Sequence, residues 1–189
     1  MLFGLCFSDK IPGRAVYRTE TMKSHEPPEI HPGTRRSAAF SRELMTRDDL
    51  KQQFRIELRK KRVDLDQRAE RGQTIQQMLL GLLQVQEAEN IMVYVGYRSE
   101  VPTDLLIETW LKAGKTLFVP WCDDNELRLF RLLSMEDLKP GAFDIPEPAF
   151  ELRNLQDRTG SPSELDLVIL PGLGFDRNGG RLGQGRGYY

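Results

Sequence analysis

Residues 166–189 read DLVILPGLGFDRNGGRLGQGRGYY and join a short apolar run to a glycine-rich loop. The apolar run at 166–170 is typical of a buried strand, and the proline–glycine pair that follows ends it. Two further apolar runs, at 91–95 and 116–119, alternate with segments of helical periodicity. Because strands that are apolar along their whole length need cover on both faces, this alternation predicts an α/β fold on a mostly parallel sheet.

The segments between these strands predict three helices. The first is expected over 47–62, where Thr46 is a good N-cap before the apolar stripe formed by Leu50, Phe54 and Leu58. A second helix is expected over 66–85, and a third over 103–113, where Gly114 ends it. In addition, residues 126–129 alternate charged and apolar side chains as a half-buried strand does.

The chain is expected to form one domain, since 189 residues suffice for a single core but not for two full domains with linkers. Residues 1–45 carry four prolines and no sustained periodicity, so we predict that they are a disordered or added tail. The domain then covers residues 46–189.

Composition excludes several classes of chemistry. The only two histidines, His25 and His31, lie in the predicted tail, so Ser-His-Asp and Cys-His catalysis and the commonest zinc ligands are absent from 46–189. A net charge of −1 offers no broad attraction to nucleic acid or to an anionic membrane, and no apolar run approaches the length of a membrane span. Cys6 and Cys122 are expected to be free thiols in a reducing, cytoplasmic compartment.

The glycine-rich loop is the strongest candidate site. Residues 183–187 alternate glycine with polar side chains, which allows successive backbone N–H groups to form an anion-binding nest. Arg181 and Arg186 add guanidinium donors suited to phosphate oxygens. The alternative is a flexible surface loop. The spacing matches neither the Walker A motif nor the dinucleotide-binding fingerprint.

Two other features have a functional and a purely structural interpretation. The first helix carries a basic edge of Lys51, Arg55, Arg59 and Arg62. This edge could face a cleft, or it could be a solvated face with pairs such as Glu57 with Lys61. Glu100, after the first predicted strand, could accept hydrogen bonds from a pterin-like ring, or it could complement a helix dipole, a role that fits Asp104 better.

A longer pattern connects these features. Residues 171–176 read PGLGFD, residues 180–183 read GRLG, and Gly185, Gly187, Tyr188 and Tyr189 follow. Upstream, the pattern includes Lys51 with Arg55, Glu100 with Thr103, Gly114-Lys115 with Pro120, and IPEP at 145–148. Over residues 46–189 the chain resembles the 5-formyltetrahydrofolate cyclo-ligase family. The resemblance implies a single α/β domain related to the ribose-phosphate isomerase and CoA-transferase architecture.

The resemblance also implies an activity. The family converts 5-formyltetrahydrofolate to 5,10-methenyltetrahydrofolate with ATP as co-substrate and with Mg²⁺, and it releases ADP and phosphate. Such a reaction needs positioning and charge neutralisation more than acid–base groups. By the same resemblance, 5-formyltetrahydrofolate is the partner, and the chain is expected to act as a monomer, without nucleic acid or membrane.

Site residues follow from the same resemblance. The expected ATP-binding residues are Lys51, Arg55, Arg181, Leu182, Gly183, Gln184, Gly185, Arg186, Gly187, Tyr188 and Tyr189. The expected substrate-binding residues are Val95, Glu100, Gln184, Gly185, Arg186, Gly187 and Tyr188. Arg186 is the expected catalytic residue, because its guanidinium would neutralise charge on the transferring phosphoryl group.

The sequence departs from the family pattern after the two tyrosines. The pattern continues with an aspartate and a C-terminal segment that supply the expected Mg²⁺ ligands, so we assign no metal ligand in this chain. We therefore expect a domain that lacks its C-terminal part and is poorly active. Two alternatives stay open: a folate- or nucleotide-binding remnant without catalysis, and a nucleic-acid binder that uses the basic helix. No interleaved aromatic residues support the second alternative.

Overall fold

The structure is a computed structural model that describes residues 4–7, 46–124, 126–141, 144–185 and 187–189. Four α-helices and ten strands occur in these residues. They are β1 (Gly4–Phe7), α1 (Arg47–Val63), α2 (Arg68–Leu80), α3 (Leu83–Glu87), β2 (Asn90–Val93), α4 (Asp104–Lys112), β3 (Thr116–Asp123), β4 (Glu126–Leu132), β5 (Leu138–Pro140), β6 (Pro146–Pro148), β7 (Thr159–Gly160), β8 (Leu167–Leu170), β9 (Gly174–Phe175) and β10 (Arg181–Leu182).

Six strands form one mixed sheet in the order β1-β8-β2-β3-β4-β7. The three central strands are parallel, since β2 pairs in parallel with both β3 and β8. The outer pairs, β1 with β8, β3 with β4 and β4 with β7, are antiparallel. The predicted α/β fold is therefore confirmed, with its parallel strands at the centre of the sheet.

Both faces of the central strands are buried. Alternate residues of each strand point to opposite faces, so β2 sends Ile91 and Val93 to one face and Met92 to the other. The larger core cluster includes Val85, Leu106, Ile107, Trp110, Leu117, Val119, Phe130, Leu132, Leu167 and Ile169. The smaller cluster contains Met92, Phe118, Leu129 and Leu165. This two-sided burial explains why the strands read as continuous apolar runs.

The first predicted helix is confirmed, and its start has the expected cap. Thr46 Oγ1 accepts a hydrogen bond from the Asp49 N–H at 3.2 Å, and Asp49 Oδ2 accepts one from the Thr46 N–H at 3.0 Å. The prediction of one helix over 66–85 is wrong, because the chain breaks after Gly81 into α2 and α3. At the break Leu82 is extended, with φ −77° and ψ 128°, so α3 starts in a new direction.

Strand β3 also differs from its prediction. We expected it to end at Pro120, but it continues to Asp123 because Pro120 pairs with Leu129 of β4. Pairing with β2 involves only Thr116 to Phe118. Pro120 therefore lies where β3 has a partner on one side, a position at which a missing N–H is tolerated.

The predicted tail, residues 1–45, contains one element within the described residues. Gly4–Phe7 pairs antiparallel with Leu167–Leu170, so our expectation of no regular structure in 1–45 is wrong for these four residues. The physical reason is that β8 would otherwise present unpaired N–H and C=O groups at the edge of the sheet. Residues 8–45 lie outside the described residues. Within the described part of the chain, no helix is long and apolar enough to cross a membrane.

Candidate active site

Three segments converge at one edge of the sheet. They are the residues after β2 (94–100), the glycine-rich loop after β8 (171–189) and the helix α1. Strands β2 and β8 are parallel neighbours, so the segments that follow them leave the sheet at the same edge. Ligands of α/β proteins bind at this edge, beyond the carboxyl ends of the strands.

The first half of the glycine-rich loop is a short hairpin. Strands β9 and β10 pair antiparallel, and the Leu173 N–H extends the ladder by donating to Leu182 O at 2.8 Å. Asp176 closes the turn, because its Oδ1 accepts from the N–H groups of Asn178 at 2.8 Å and Gly180 at 2.7 Å. The structure thus holds this half of the loop in one conformation instead of leaving it as an unpaired surface loop.

Helix α1 holds the loop through its basic edge. Arg55 Nε donates to Gly183 O at 3.1 Å, and Arg62 donates to Gly172 O. Arg59 donates to the side chain of Gln184 at 3.2 Å and 3.3 Å and to its backbone oxygen at 3.2 Å. These arginines therefore line the interface between α1 and the loop.

The rest of α1 behaves as a solvated helix. Lys51 pairs with Asp48 at 3.3 Å in an exposed position, and Lys61 pairs with Glu57 at 2.7 Å as the alternative interpretation expected. No described residue of α1 is fully buried, and Phe54 of the predicted apolar stripe is 49% exposed. The apolar stripe is only partly buried because α1 lies against the loop, where polar contacts dominate.

Helix α1 and the glycine-rich loop approach closely at Gly174. A Cβ atom on Gly174 would lie 2.8 Å from Leu58 Cδ1, which is closer than real Cβ contacts. Further along, Gly185 and Gly187 have φ values of +121° and +70°, which favour glycine. Arg181 Nη1 donates to Pro171 O at 2.9 Å, and its guanidinium lies 5.6 Å from the centre of the Tyr189 ring.

Glu100 is the carboxylate of this site. Its Oε2 accepts a hydrogen bond from the Tyr97 N–H at 3.3 Å. Burial raises the pKa of the Glu100 carboxyl above its ordinary value, while the Tyr97 N–H, the Arg62 charge and the Gln184 amide act in the opposite direction. Glu100 therefore lies between α1 and the loop, and both contribute to its environment.

The segment that carries Glu100 is fixed by Thr103. The fully buried Thr103 hydroxyl donates to Tyr94 O at 2.8 Å and accepts from the Gly96 N–H at 3.0 Å. Thr103 is the N-cap residue of α4 as predicted, but its side chain makes no capping hydrogen bond, because it joins the end of β2 to the helix start. Tyr94 adds another hydrogen bond within this segment, since its hydroxyl donates to Val101 O at 2.9 Å.

Two cavities meet at Glu100. The small cavity has a volume of about 180 Å³, and its walls include Leu58, Leu65, Tyr94, Glu100, Val101 and Leu173. The large cavity has a volume of about 590 Å³, and its walls include Arg59, Arg62, Arg68, Arg98, Glu100 and Gln184. Arg62 also lines the small cavity. The small cavity thus combines apolar side chains with the charged Lys61, Arg62 and Glu100, and the large one carries four guanidinium groups.

The structure brings together only part of the expected site. Arg55, Gly183, Gln184 and Glu100 lie at the junction of α1 and the loop, and Tyr188 is half-buried in the same loop. Val95 packs partly buried against the core. Arg186 lies outside the described residues, so its expected catalytic role stays a prediction.

Sequence reasoning did not include the four arginines of the two cavities, Arg59, Arg62, Arg68 and Arg98, among the site residues. Arg62 lies three residues after Arg59 on the same edge of α1, and this helical spacing was the available signal. Arg68 and Arg98 carried no comparable signal, because only the fold places the start of α2 beside the segment after β2.

The described residues do not fit a bound Mg²⁺ ion by themselves. Among them, no group of three or more His, Cys, Asp or Glu side chains could hold a metal. Asp176, the carboxylate within the loop, has its Oδ1 engaged by two N–H groups of the turn. No step of the reaction is therefore assigned to a metal held by these residues.

Relatives of known name resemble the chain over most of its length. It is 31% identical over 156 residues to the 5-formyltetrahydrofolate cyclo-ligase of Mus musculus, covering 76% of this chain and 69% of that protein. It is 31% identical over 203 residues to "5-formyltetrahydrofolate cyclo-ligase, mitochondrial" of Arabidopsis thaliana, covering 97% and 69%. The Haemophilus influenzae cyclo-ligase is 31% identical over 144 residues, covering 74% and 75%.

Solved structures agree with this relationship. The 5,10-methenyltetrahydrofolate synthetase of Aquifex aeolicus superposes with a TM-score of 0.64 at 31% identity, covering 74% of this chain and 70% of that one. The synthetase of Mycoplasma pneumoniae gives a TM-score of 0.53 at 22% identity over 74% of each chain, which shows the fold alone. The protein-family model for 5-formyltetrahydrofolate cyclo-ligases matches residues 47–189. The chain therefore belongs to the 5-formyltetrahydrofolate cyclo-ligase family.

Proposed function

We propose that the junction of α1, the segment 94–100 and the glycine-rich loop is where this ligase converts 5-formyltetrahydrofolate to 5,10-methenyltetrahydrofolate with ATP. The observation that supports this location most strongly is the set of hydrogen bonds from Arg55, Arg59 and Arg62 to the loop beside Glu100. These contacts place three guanidinium groups against the loop, and two of them, those of Arg59 and Arg62, line the large cavity together with Glu100.

The reaction needs a leaving group that the formyl oxygen alone does not provide. The formyl oxygen attacks the γ-phosphorus of ATP, the bond to the bridging oxygen breaks, and ADP leaves. N10 of the folate then attacks the formyl carbon and loses its proton. The carbon–oxygen bond breaks, phosphate departs, and the methenyl bridge between N5 and N10 remains. Negative charge accumulates on the phosphoryl oxygens throughout, so nearby guanidinium and N–H donors favour the reaction.

The phosphate-binding groups in this proposal are Lys51, Arg55 and the loop from Arg181 to Tyr189. Arg55 supports it because its guanidinium lies beside Gly183 and Gly185, where the loop offers backbone N–H groups. Arg186 would neutralise charge on the transferring group, as the family resemblance implies. A bidentate or forked guanidinium suits this role, since it can contact two phosphate oxygens together.

The folate would contact Glu100 and the loop residues Gln184 to Tyr188, with Val95 at the end of β2. A carboxylate at Glu100 can accept hydrogen bonds from the amino and ring N–H groups of a pterin. The apolar wall of the small cavity, formed by Leu58, Val101 and Leu173, supports this placement, because a flat ring is stabilised against apolar surface.

The proposal also covers the metal ion, the oligomeric state and the compartment. We propose that ATP arrives with Mg²⁺ bound to its phosphates, that the protein acts as a monomer without nucleic acid or membrane, and that it works in the cytoplasm. The family resemblance supports the metal and the monomer. Cys122 is an exposed cysteine outside any disulfide, as is usual in a reducing compartment.

The proposed ATP role of Arg55 is tested by Arg55→Ala, with Lys60→Ala as a control that removes one exposed positive charge from the same helix. Formation of methenyltetrahydrofolate is followed by its absorbance while ATP and folate are varied separately. Loss of a charge-assisted contact of about 1.5–3 kcal/mol should lower kcat/KM for ATP about ten- to a hundredfold in Arg55→Ala, with little change in KM for folate. Lys60→Ala should behave like the unaltered chain.

Two results would contradict the proposal in different ways. Product formation that does not depend on ATP, or no product at all from the unaltered chain, would exclude the proposed reaction. Equal ATP kinetics for Arg55→Ala and Lys60→Ala would leave the reaction in place and exclude Arg55 as a phosphate ligand.

A further inference from the structure

The large cavity has a charge that the proposed reaction does not explain. Four arginines, Arg59, Arg62, Arg68 and Arg98, contribute to its walls against one carboxylate, Glu100. Arg59 and Arg62 are engaged with the glycine-rich loop. Arg68 and Arg98 have no carboxylate partner within the described residues. The cavity therefore presents two guanidinium groups whose charge is not balanced by the described part of the protein.

Both of these arginines are placed by unusual backbone conformations. Arg98 itself has φ +53°, and Gln67, which directly precedes Arg68, has φ +52°. Left-handed conformations are unfavourable for residues other than glycine. Such strain persists where the surrounding structure requires it, and it is common at ligand sites.

The Arg98 guanidinium is also oriented by stacking. It lies 4.9 Å from the centre of the Tyr97 ring, and stacking on a ring leaves the N–H groups at the guanidinium edge free to donate. Tyr97 also contributes to the wall of the large cavity. A planar cation presented in this way is suited to bind a carboxylate with two parallel hydrogen bonds.

The two cavities share Glu100, and Arg68 and Arg98 line the large one alone, so a ligand that spans both would meet these two arginines at one end only. The pterin of a folate is flat and largely uncharged, whereas its glutamate carries two carboxylates. We propose that Arg68 and Arg98 bind the glutamate carboxylates of the folate in the large cavity while the pterin contacts Glu100. This inference rests on the proposed function and adds a specificity-determining pair to it.

ATP phosphates are the other anions in the reaction, and the geometry separates them from this pair. Of the described residues proposed for ATP, Gln184 alone lines the large cavity. Arg55 contacts Gly183 on the loop and is not part of that cavity wall. The guanidinium groups at Arg68 and Arg98 are thus better placed for the folate than for the nucleotide.

The test compares two ligands that differ only in the glutamate. 5-Formyltetrahydropteroate has the same pterin and benzoyl groups as 5-formyltetrahydrofolate but lacks the glutamate. Dissociation constants for both are measured by titration calorimetry on the full chain, for the unaltered protein, Arg68→Gln, Arg98→Gln and the double variant. Arg71→Gln is the matched control, because Arg71 is exposed on α2 one turn from Arg68 and outside the large cavity.

We expect each substitution of Arg68 or Arg98 to weaken folate binding about three- to tenfold, as for a partly solvated charge pair, and the double variant to bind both ligands alike. Binding of the pteroate, the KM for ATP and the melting temperature should stay unchanged. Arg71→Gln should bind both ligands as the unaltered chain does. Arg68→Lys should retain part of the affinity that Arg68→Gln loses, since lysine keeps the charge.

Three outcomes would overturn the proposal. Unaltered folate affinity in the double variant would show that the pair does not bind the glutamate. Equal weakening of folate and pteroate would assign the pair to another part of the ligand or to the fold. A raised KM for ATP with unchanged folate affinity would assign the pair to phosphate. Since binding is measured directly, absence of turnover in the unaltered chain would contradict the proposed reaction and not this inference.

Discussion

Glu100 has a partly buried carboxyl that lines both cavities, and its ionisation links stability to pH. Burial raises its pKa in the folded protein above the ordinary value of 4.5. At pH values between the pKa of Glu100 in the unfolded chain and its higher pKa in the folded protein, the folded state therefore binds more protons than the unfolded state. Folding stability contributed by this group is greatest below the unfolded pKa, falls as pH rises through this interval, and stays lower at neutral pH.

Glu100→Gln should consequently be more stable than the unaltered chain near neutral pH, because glutamine keeps the acceptor for the Tyr97 N–H without the buried charge. The difference in melting temperature should disappear below pH 4.5, where the unfolded carboxyl is also protonated. Glu70→Gln, at an exposed position of α2, serves as the control and should show no such pH dependence. A variant that is less stable than the unaltered chain at neutral pH would contradict the argument.

Arg62 is expected to fasten the loop to α1. Its guanidinium donates to Gly172 O and lies near Glu100, so Arg62→Ala removes a charge-assisted hydrogen bond of about 1.5–3 kcal/mol. For a domain of this size, we expect a fall in melting temperature of about 3–10 °C. Lysine at this position should recover part of the loss. Lys60→Ala supplies the baseline, and a fall no larger than that baseline would show that the contact contributes nothing.

The arginines show how far single residues can be assigned from a sequence. Arg55, Arg59 and Arg62 could be grouped because a helix places residues three and four apart on one edge. Their partners, Gly172, Gly183 and Gln184, are separated from them by more than a hundred residues. Arg68 and Arg98 could not be grouped at all, because their proximity depends on how α2 and the end of β2 pack.

The β9–β10 hairpin is expected to depend on Asp176. Asp176→Ala removes two hydrogen bonds to turn N–H groups, and each contributes about 0.5–1.5 kcal/mol. The turn should then open more often, and trypsin should cleave the exposed bond after Arg177 several times faster. Asp176→Asn is the matched variant, since its side-chain oxygen can still accept. Equal cleavage rates for the alanine and asparagine variants would show that the side chain does not hold the turn.

Secondary structure was predictable where local pattern and tertiary environment agree. The capping box of α1 and the apolar strands β2 and β8 are local signals, and they appear at the expected places. The continuation of β3 through Pro120 is not local, because it depends on pairing with β4. The break between α2 and α3 likewise overrides an apolar periodicity that continues past Gly81.

The sheet connects the proposed active-site cleft to the core through two strands. Strands β2 and β8 are paired at the centre of the sheet, and each leads directly into one wall of the cleft. A shift in their register would move Glu100 relative to the glycine-rich loop. The alternation of Ile91, Met92 and Val93 between two core clusters opposes such a shift, since a slip of one residue would exchange the faces.

The sequence predicts that residues 46–189 fold without the preceding segment. A chain that starts at Met45 loses the pairing of Gly4–Phe7 with β8 but keeps β8 paired with β2. Among the residues whose burial is described, the members of both core clusters come from the retained part. The lost ladder bonds contribute about 1 kcal/mol each, whereas ordering each residue costs about 1–2 kcal/mol, so the net change should be small.

We therefore expect the shortened chain to unfold cooperatively, with a melting temperature within about 8 °C of the full chain. Its uncovered β8 edge should increase self-association, which light scattering can measure. The matched variants are Leu5→Pro and Cys6→Pro in the full chain. Because neighbouring N–H groups of a strand point to opposite sides, one of the two must remove a bond to β8. If that variant matches the shortened chain in melting temperature and scattering, pairing of β1 explains the whole effect. Loss of cooperativity in the shortened chain alone would mean that the domain extends beyond residues 46–189.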